Sequence, residues 1–370
     1  MFITYENKKT EKEILKRTSG VKLKAVSGQG AENKLINSEN LSALKTLLAD
    51  YAGKVDLIYI DPPFSTNGHF KISENRANTI SCCNSDEVAY SDTLTGADFL
   101  EFLRERLVLL RELLSESGSI YLHIDYKIGH YVKLIMDEVF GSDMFRNDIT
   151  RIKCNPKNFN RKAYGNIKDL ILFYSKSSKP VWNNPRIPFS KEDEERLFKK
   201  TDESGRKYTT IPLHAPGETS NGNTSGKWRG MKPPAGRHWR TDPTILEEWD
   251  KQGLVEWSAN GVPRKKIFLD ESKGKKMQDI WEFKDPQYPS YPTEKSLELL
   301  KFIIEASSNK GDLILDCFAG SGTTLLAAQY LNRNWIGIDQ SESAIKVIEQ
   351  RMKDLPDNLF SKVEYEFLRV

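Results

Sequence analysis

The chain has 370 residues, with 55 Lys and Arg against 52 Asp and Glu, and is long enough for one large core plus a second unit, so we expect two domains. No stretch approaches 18 consecutive apolar residues, and MFITYENKKTEKEILKR carries no apolar run before a cleavage site, which predicts an intracellular chain without a membrane span. Cys82, Cys83, Cys154 and Cys317 make no C-x-x-C pair and the five histidines lack ligand spacing, so neither a disulfide framework nor a structural metal is expected.

The first 30 or so residues are charged and read as a helix or arm leading into the fold. Lys34 to Ile36 suggests a short strand. NSENLSALKTLLADYAGK then opens with capping residues and sets Leu41, Leu44, Leu47 and Leu48 on one helical face. KVDLIYIDPPF follows. Leu57 to Ile60 is apolar enough for a parallel strand covered on both faces, and Pro62 and Pro63 end it because proline cannot donate to a sheet ladder. Asp61 is thereby expected at the carboxyl end of the strand, where open α/β sheets bind ligands. Its carboxylate and the nearby proline carbonyls would form an acceptor cluster beside the Phe64 ring, suited to a planar ligand with an exocyclic amine. Taken alone, the tetrapeptide reads equally as an ordinary strand-ending turn.

Ser65 to Leu94 is polar, rich in Asn and Ser, and without a period, which predicts a long irregular loop. Asp98 to Leu114 is an amphipathic helix, SIYLHID a buried strand, KIGHYVKLIMDEVFG a helix and IKDLILFYSKS a further strand of the same sheet, with a basic loop from Asn155 to Gly165 before it. His123 and Asp125 read as a satisfied core polar pair, with a supporting role at the active site as the alternative. From about Lys179 to Phe283 proline and glycine become frequent, and Trp182, Trp228, Trp239, Trp257 and Trp281 recur among Arg and Lys. TDPTILEEWDKQG reads as a capped helix and LVEWSANGVPRKKIFLD as a hairpin across Asn260-Gly261. Arg146 to Lys284 holds 29 Lys and Arg against 18 Asp and Glu, so positive charge concentrates there as it does on a nucleic-acid-binding face. Within it, Arg229, Lys232, Arg237 and Arg240 are candidate contacts to phosphates or guanine edges, and Trp239, like Trp228, either stacks or packs the small domain.

YPTEKSLELLKFIIEA predicts a helix begun by Pro292. DLILDCFAGSGTT is another buried strand, ending at Asp316 and running through Phe318 and Ala319 into a turn in which Gly320 and Gly322 let backbone approach a ligand before Thr323. Asp339 ends the next strand, 23 residues after Asp316, where an acid commonly grips a ribose hydroxyl pair. The third glycine of the dinucleotide fingerprint is missing, which weakens a dehydrogenase reading. An adenosine ligand without a pyrophosphate, such as S-adenosylmethionine, suits the turn better.

DPPF with FAGSGTT resembles the amino-methyltransferases that act on adenine N6 or cytosine N4 in DNA, and the order, DPPF first, resembles their permuted β group. The resemblance implies an α/β fold with a doubly wound, mostly parallel, Rossmann-like sheet: a catalytic domain in two parts, 1–178 and 285–370, with a smaller target-recognition domain, 179–284, inserted. It implies Asp61, Pro62, Pro63 and Phe64 as the catalytic set, with Phe64 stacking on a flipped base. S-adenosyl-L-methionine is the implied cofactor, touched by Asp316, Phe318, Ala319, Gly320, Gly322, Thr323 and Asp339. Thr293 and Lys295 of the P-T-x-K-type segment would close over its methionine portion, and Glu39 stands where relatives place a polar residue on the adenosine. The expected reaction is methylation of adenine N6 in double-stranded DNA; Asp61, where cytosine enzymes more often carry serine, favours adenine over the cytosine-N4 alternative. No Pro-Cys dipeptide supplies the nucleophile that cytosine C5 chemistry needs. The resemblance further implies a cytoplasmic, nucleoid-associated protein, a restriction endonuclease as a possible partner of a modification subunit, and a homodimer as one possible assembly.

Overall fold

The apolar runs in the sequence become the middle of a ten-stranded sheet. The structure, a computed structural model, describes residues 3–16, 20–63, 68–73, 76–78, 87–92, 96–156, 160, 162–219, 222–287, 289, 291, 294–355 and 363–370. Two compact units emerge: Met1–Pro185 with Gln278–Val370, and the continuous insert Arg186–Met277.

In the larger unit the strands are β1 (Lys24–Ser27), β2 (Asn33–Asn37), β3 (Val55–Ile60), β4 (Leu114–Ile124), β5 (Phe145–Ile152), β6 (Lys168–Ser175), β7 (Ile280–Trp281), β8 (Leu313–Asp316), β9 (Asn334–Asp339) and β10 (Tyr365–Arg369). Their spatial order is β1-β10-β2-β9-β8-β3-β4-β6-β5-β7. From β10 to β4 every neighbouring pair is parallel, while β6 runs antiparallel to both β4 and β5. The helices are α1 (Glu11–Lys16), α2 (Asn40–Tyr51), α3 (Gly96–Leu113), α4 (Gly129–Phe140), α5 (Leu297–Ser307), α6 (Thr323–Tyr330) and α7 (Glu342–Lys353). Phe99, Leu103, Leu107 and Leu110 of α3 recur at helical spacing and pack into the same core as Ile58 and Ile60 of β3. No described helix is long and apolar enough to cross a membrane.

Strands β3 and β8 are hydrogen-bonded neighbours, with Ile314 opposite Leu57 and Leu315 opposite Ile58. After β3 the chain passes through α3 to β4 on one side; after β8 it passes through α6 to β9 on the other. The chain reverses its direction across the sheet here, and open α/β sheets bind ligands beyond the carboxyl ends of strands at such a point.

The smaller unit carries a four-stranded antiparallel sheet, Lys200–Thr201, Lys207–Pro212, Pro263–Phe268 and Val255–Trp257, in that order. The expected hairpin is present, with Val255 opposite Lys265. Asp242 caps helix Pro243–Lys251 by accepting from the Thr244 amide at 2.9 Å. The core is Leu213, Trp228, Trp239, Leu246 and Val255.

Several expectations require correction. The helix expected from Tyr291 begins only at Leu297, and Pro292 and Thr293 lie outside the described residues. Part of the stretch expected as an irregular loop pairs as antiparallel strands, Gly68–Ser73 with Arg76–Asn78 and with Glu87–Asp92. Residues 179–185 and 278–284, grouped with the insert by composition, fall in the larger unit, where β7 pairs with β5. Trp239 is 2% exposed, its Nε1 donates to the Gly226 carbonyl at 2.9 Å, and its ring meets that of Trp228 edge-on, so it packs a core and leaves no face for a base. Trp239→Ala is expected to destabilise the smaller unit by about 3–5 kcal/mol, read as an earlier transition in a denaturant melt.

Candidate active site

The site is built from the ends of β3, β8 and β9. Asp61 leaves β3 just where Pro62 and Pro63 remove two backbone donors. Its Oδ2 pairs with Lys295 Nζ, and both side chains are largely buried. The other oxygen, Oδ1, is buried and meets no hydrogen-bond donor among the described residues. A buried acceptor without a donor is costly, and a ligand N–H would satisfy it. Pro62 is buried beside it.

One strand over, Asp316 is 2% exposed and accepts from the Phe318 amide at 2.9 Å. Burial pushes its carboxyl up to about 7, against hydrogen bonds from Thr324 and Phe318, with the charges of Asp61 and Asp339 adding to the rise. Ala319 is buried and the Phe318 ring packs against Phe102 at 6.1 Å. The turn needs its glycines. Gly320 has φ +51°; Gly322 has φ +72°, and a Cβ there would sit 2.7 Å from Ile348. Asp339 shapes that turn: Oδ2 accepts from the Gly320 amide and Oδ1 from the Ser341 amide, both at 2.8 Å. The Gln340 amide bonds the carboxylate as well, and of its roughly four lone-pair sites that leaves about one for a ligand hydroxyl. Thr323 is buried, with its hydroxyl 2.9 Å from that of Ser321.

Glu39 has another task. Its carboxylate accepts from the Leu41 and Ser42 amides at the start of α2 and pairs with Arg106 at 2.6 Å. Burial pushes its pKa up, but those amides and Arg106 hold it below the usual range. Thr293 and Phe64 lie outside the described residues.

Sequence reasoning missed the residues beneath and around the site. Tyr59, two positions before Asp61 and so on the same strand face, bonds through its hydroxyl to His123 Nδ1 at 2.8 Å. His123 Nε2 faces Asp169 Oδ2 at 3.4 Å, and Lys153 holds Asp169 Oδ1 at 2.7 Å. Burial lowers the His123 pKa from its ordinary value, against the pull of Asp169, and so favours the neutral ring. Asp169 can only accept, so Nε2 carries the hydrogen and Nδ1 accepts from Tyr59. His123 and Asp125 are both buried and satisfied, as expected: Asp125 accepts from the Lys127 and Ile128 amides ahead of α4. Arg351 ties the glycine turn to the segment before α5, bonding the Ser321 carbonyl at 3.0 Å and Glu294 at 3.0 Å. Only the alternation of Tyr59 with Asp61 signalled any of this.

In the smaller unit Arg229 occupies φ +50° beside Gly230 in a two-residue turn. Its guanidinium pairs with Glu247 at 3.1 Å and Asp250 at 2.5 Å, so it braces the helix Pro243–Lys251. Lys232, Arg237 and Arg240 are exposed. Arg237 Nη1 lies 3.2 Å from His214 Nδ1, and Arg240 Nε donates to the Pro212 carbonyl at 2.9 Å.

Residues 55–350 match the N6/N4 methyltransferase family, described as DNA methylase. The type II methyltransferase M.EcaI of Enterobacter cloacae is 41% identical over 364 residues, covering 94% of this chain and 77% of that protein. The StyLTI Mod subunit, a type III restriction-modification enzyme of Salmonella typhimurium, is 28% identical over 341 residues covering 82% of this chain; the chain spans 51% of that protein. The type II methyltransferase M.KpnI of Klebsiella pneumoniae is 26% identical over 80% of this chain and 76% of its own length.

The raised pKa of Asp316 has a sign. A carboxyl whose folded pKa exceeds its unfolded value favours folding at low pH, and that contribution is lost as pH rises from about 4 to about 7. Asp316→Asn is therefore expected to melt higher than the parent at pH 8, with the advantage shrinking towards pH 5; melting curves across that range test it.

Proposed function

This chain belongs to the N6/N4 family of DNA methylases, and from that premise we propose that it transfers a methyl group from S-adenosylmethionine to N6 of an adenine in DNA. The observation that supports the reading best is the juxtaposition of β3 and β8, which sets the Asp61 acceptor beside the Gly320 turn. S-adenosylmethionine, when bound, supplies a methyl group activated by the sulfonium. The residues present suit it. Gly320 and Gly322 bring backbone close, Asp339 retains acceptor capacity for a ribose hydroxyl, and Asp316 offers a carboxylate to a cationic ligand.

An exocyclic amine is a weak nucleophile because its lone pair is delocalised into the ring. Asp61 Oδ1 accepts one amino hydrogen and a proline carbonyl the other, which draws the lone pair out of conjugation and aims it. Positioning and fixed charge carry the reaction, and no covalent intermediate on the chain is needed. The amine cannot be reached in a stacked duplex, so the base is flipped into the site. The resemblance alone gives Phe64 the stacking role. Adenine is favoured over cytosine by the aspartate at position 61.

We assign target recognition to the smaller unit. It carries 19 Lys and Arg against 14 Asp and Glu. Arg237 and Arg240 remain its candidate contacts, and both, with Arg264, lower the His214 pKa after burial has done so. Lys232 is kept as a third; Arg229 and Trp239 are not. A second reading, a modification subunit that serves a nuclease, draws on the likeness to the StyLTI Mod subunit.

Incubating the purified chain with labelled cofactor and duplex DNA, then digesting to nucleosides, is expected to yield N6-methyladenine; N4-methylcytosine in its place would overturn the base assignment. Asp61→Ala should lower single-turnover methylation by at least about a hundredfold while cofactor affinity changes little. Activity of the chain alone would remove the need for a nuclease partner. DNA affinity should fall steeply between low and moderate salt, a slope measurable by fluorescence anisotropy.

A further inference from the structure

Lys295 was expected, from the P-T-x-K-type segment, to close over the methionine portion of the cofactor. The structure gives it a different neighbour. It lies two residues before α5, its Nζ pairs with Asp61 Oδ2, and the two side chains are 9% and 16% exposed. We propose that Lys295 is a positioning residue for Asp61: by holding Oδ2 it fixes the carboxylate plane and reserves Oδ1 for one hydrogen of the substrate amine.

Three observations carry this. An aspartate carboxylate rotates about a broad, nearly two-fold torsion, so its two oxygens are interchangeable unless something distinguishes them. Lys295 does so, because one oxygen carries the ammonium and the other is buried and meets no donor among the described residues. Secondly, Asp61 sits close enough to Asp316 for its charge to act there, and Asp339 acts on Asp316 as well. A cation at Asp61 offsets that concentration of negative charge among largely buried side chains. Thirdly, the lysine is anchored by what precedes it. Glu294 is held by Arg351, which also bonds the Ser321 carbonyl, so the backbone that carries Lys295 is tied through the Glu294 and Arg351 side chains to the glycine turn.

The inference deepens the proposed function and rests on it. An aspartate pinned in this way acts as a fixed acceptor for the amine. Its selectivity is geometric: a group with an N–H aimed at Oδ1 is satisfied, and a keto oxygen at the same place would meet a carboxylate oxygen and be repelled.

The full chain, with Lys295→Met, Lys295→Arg and Asp61→Asn variants, tests this by three measurements. Calorimetry gives cofactor affinity, single-turnover kinetics at saturating cofactor gives the methyl-transfer rate, and melting without cofactor gives the coupling between the two side chains. We expect Lys295→Met to leave cofactor affinity within about threefold and to slow transfer by more than about tenfold, with Lys295→Arg recovering much of the loss. In the cofactor-free melts, the Lys295→Met and Asp61→Asn shifts should be clearly non-additive in the double variant. A large loss of cofactor affinity with transfer unchanged at saturation, or additive melts, would overturn the assignment and return Lys295 to the cofactor. A parent chain that binds the cofactor but methylates no DNA sinks the functional reading itself, and the melts then still report on the pair. Should Lys295→Met fail to fold, the same comparisons on Lys295→Arg and Lys295→Gln decide.

Discussion

The hydrogen-bonded edge between β3 and β8 is the constraint on which the rest depends. Two strands some 250 positions apart lie side by side, and Asp56 ties them at the far end, accepting from the Leu313 amide at 3.0 Å and from the Ser115 hydroxyl at 3.0 Å. With that register set, each strand carries its own turn to the same rim: one ends in an acid and two prolines, the other in an acid and a glycine turn. Chain order is immaterial to such a site. Loop-closure entropy grows only with the logarithm of loop length, so a 92-residue insert between β6 and β7 adds little to the cost of bringing the halves together. The permuted arrangement is physically inexpensive for that reason.

The same rim gathers negative charge that an ordinary core would not tolerate. Asp61, Asp316 and Asp339 converge there, and burial raises the pKa of both Asp316 and Asp339. The offsets are local and specific: backbone amides of Phe318, Gly320 and Ser341, and the ammonium of Lys295. What remains, the unmet Oδ1 of Asp61, is the kind of local frustration expected where a ligand completes the structure.

The centre of the sheet was legible in the sequence because strands covered on both faces must be apolar through their middle, as Leu57 to Ile60 and Trp335 to Ile338 are. The edges were not. All four residues of β1 are exposed, so no alternation marks them, and β7 is two residues long. Pro292 resembled a helix start, yet α5 opens at Leu297 behind Ser296, because a proline signal sets a boundary only where tertiary packing agrees. Asp61, Asp316, the glycines and Asp339 were readable from spacing. The Tyr59–His123–Asp169 chain was not, since its members come from three strands and only the strand order β3-β4-β6 brings them together.

Charge teaches a related lesson about scale. The excess of 29 basic over 18 acidic residues between Arg146 and Lys284 pointed to the insert as a polyanion-binding face. Within Arg186–Met277 the balance is only 19 against 14, and several of those cations are engaged internally: Arg229 by Glu247 and Asp250, Arg206 by Asp270 and Glu271, Lys275 by Asp193. The flanking residues 146–185 and 278–284, which belong to the larger unit, hold 10 basic residues against 4 acidic ones. A positive field of this kind attracts polyanions without reading sequence, whereas base-edge contacts need particular exposed side chains with donors left over from their intramolecular bonds. Composition thus overstated the insert as a source of field. In the proposed function, general attraction is therefore assigned to the charge of residues 146–185 and 278–284 as much as to the insert, and discrimination among sequences to the exposed side chains of the smaller unit.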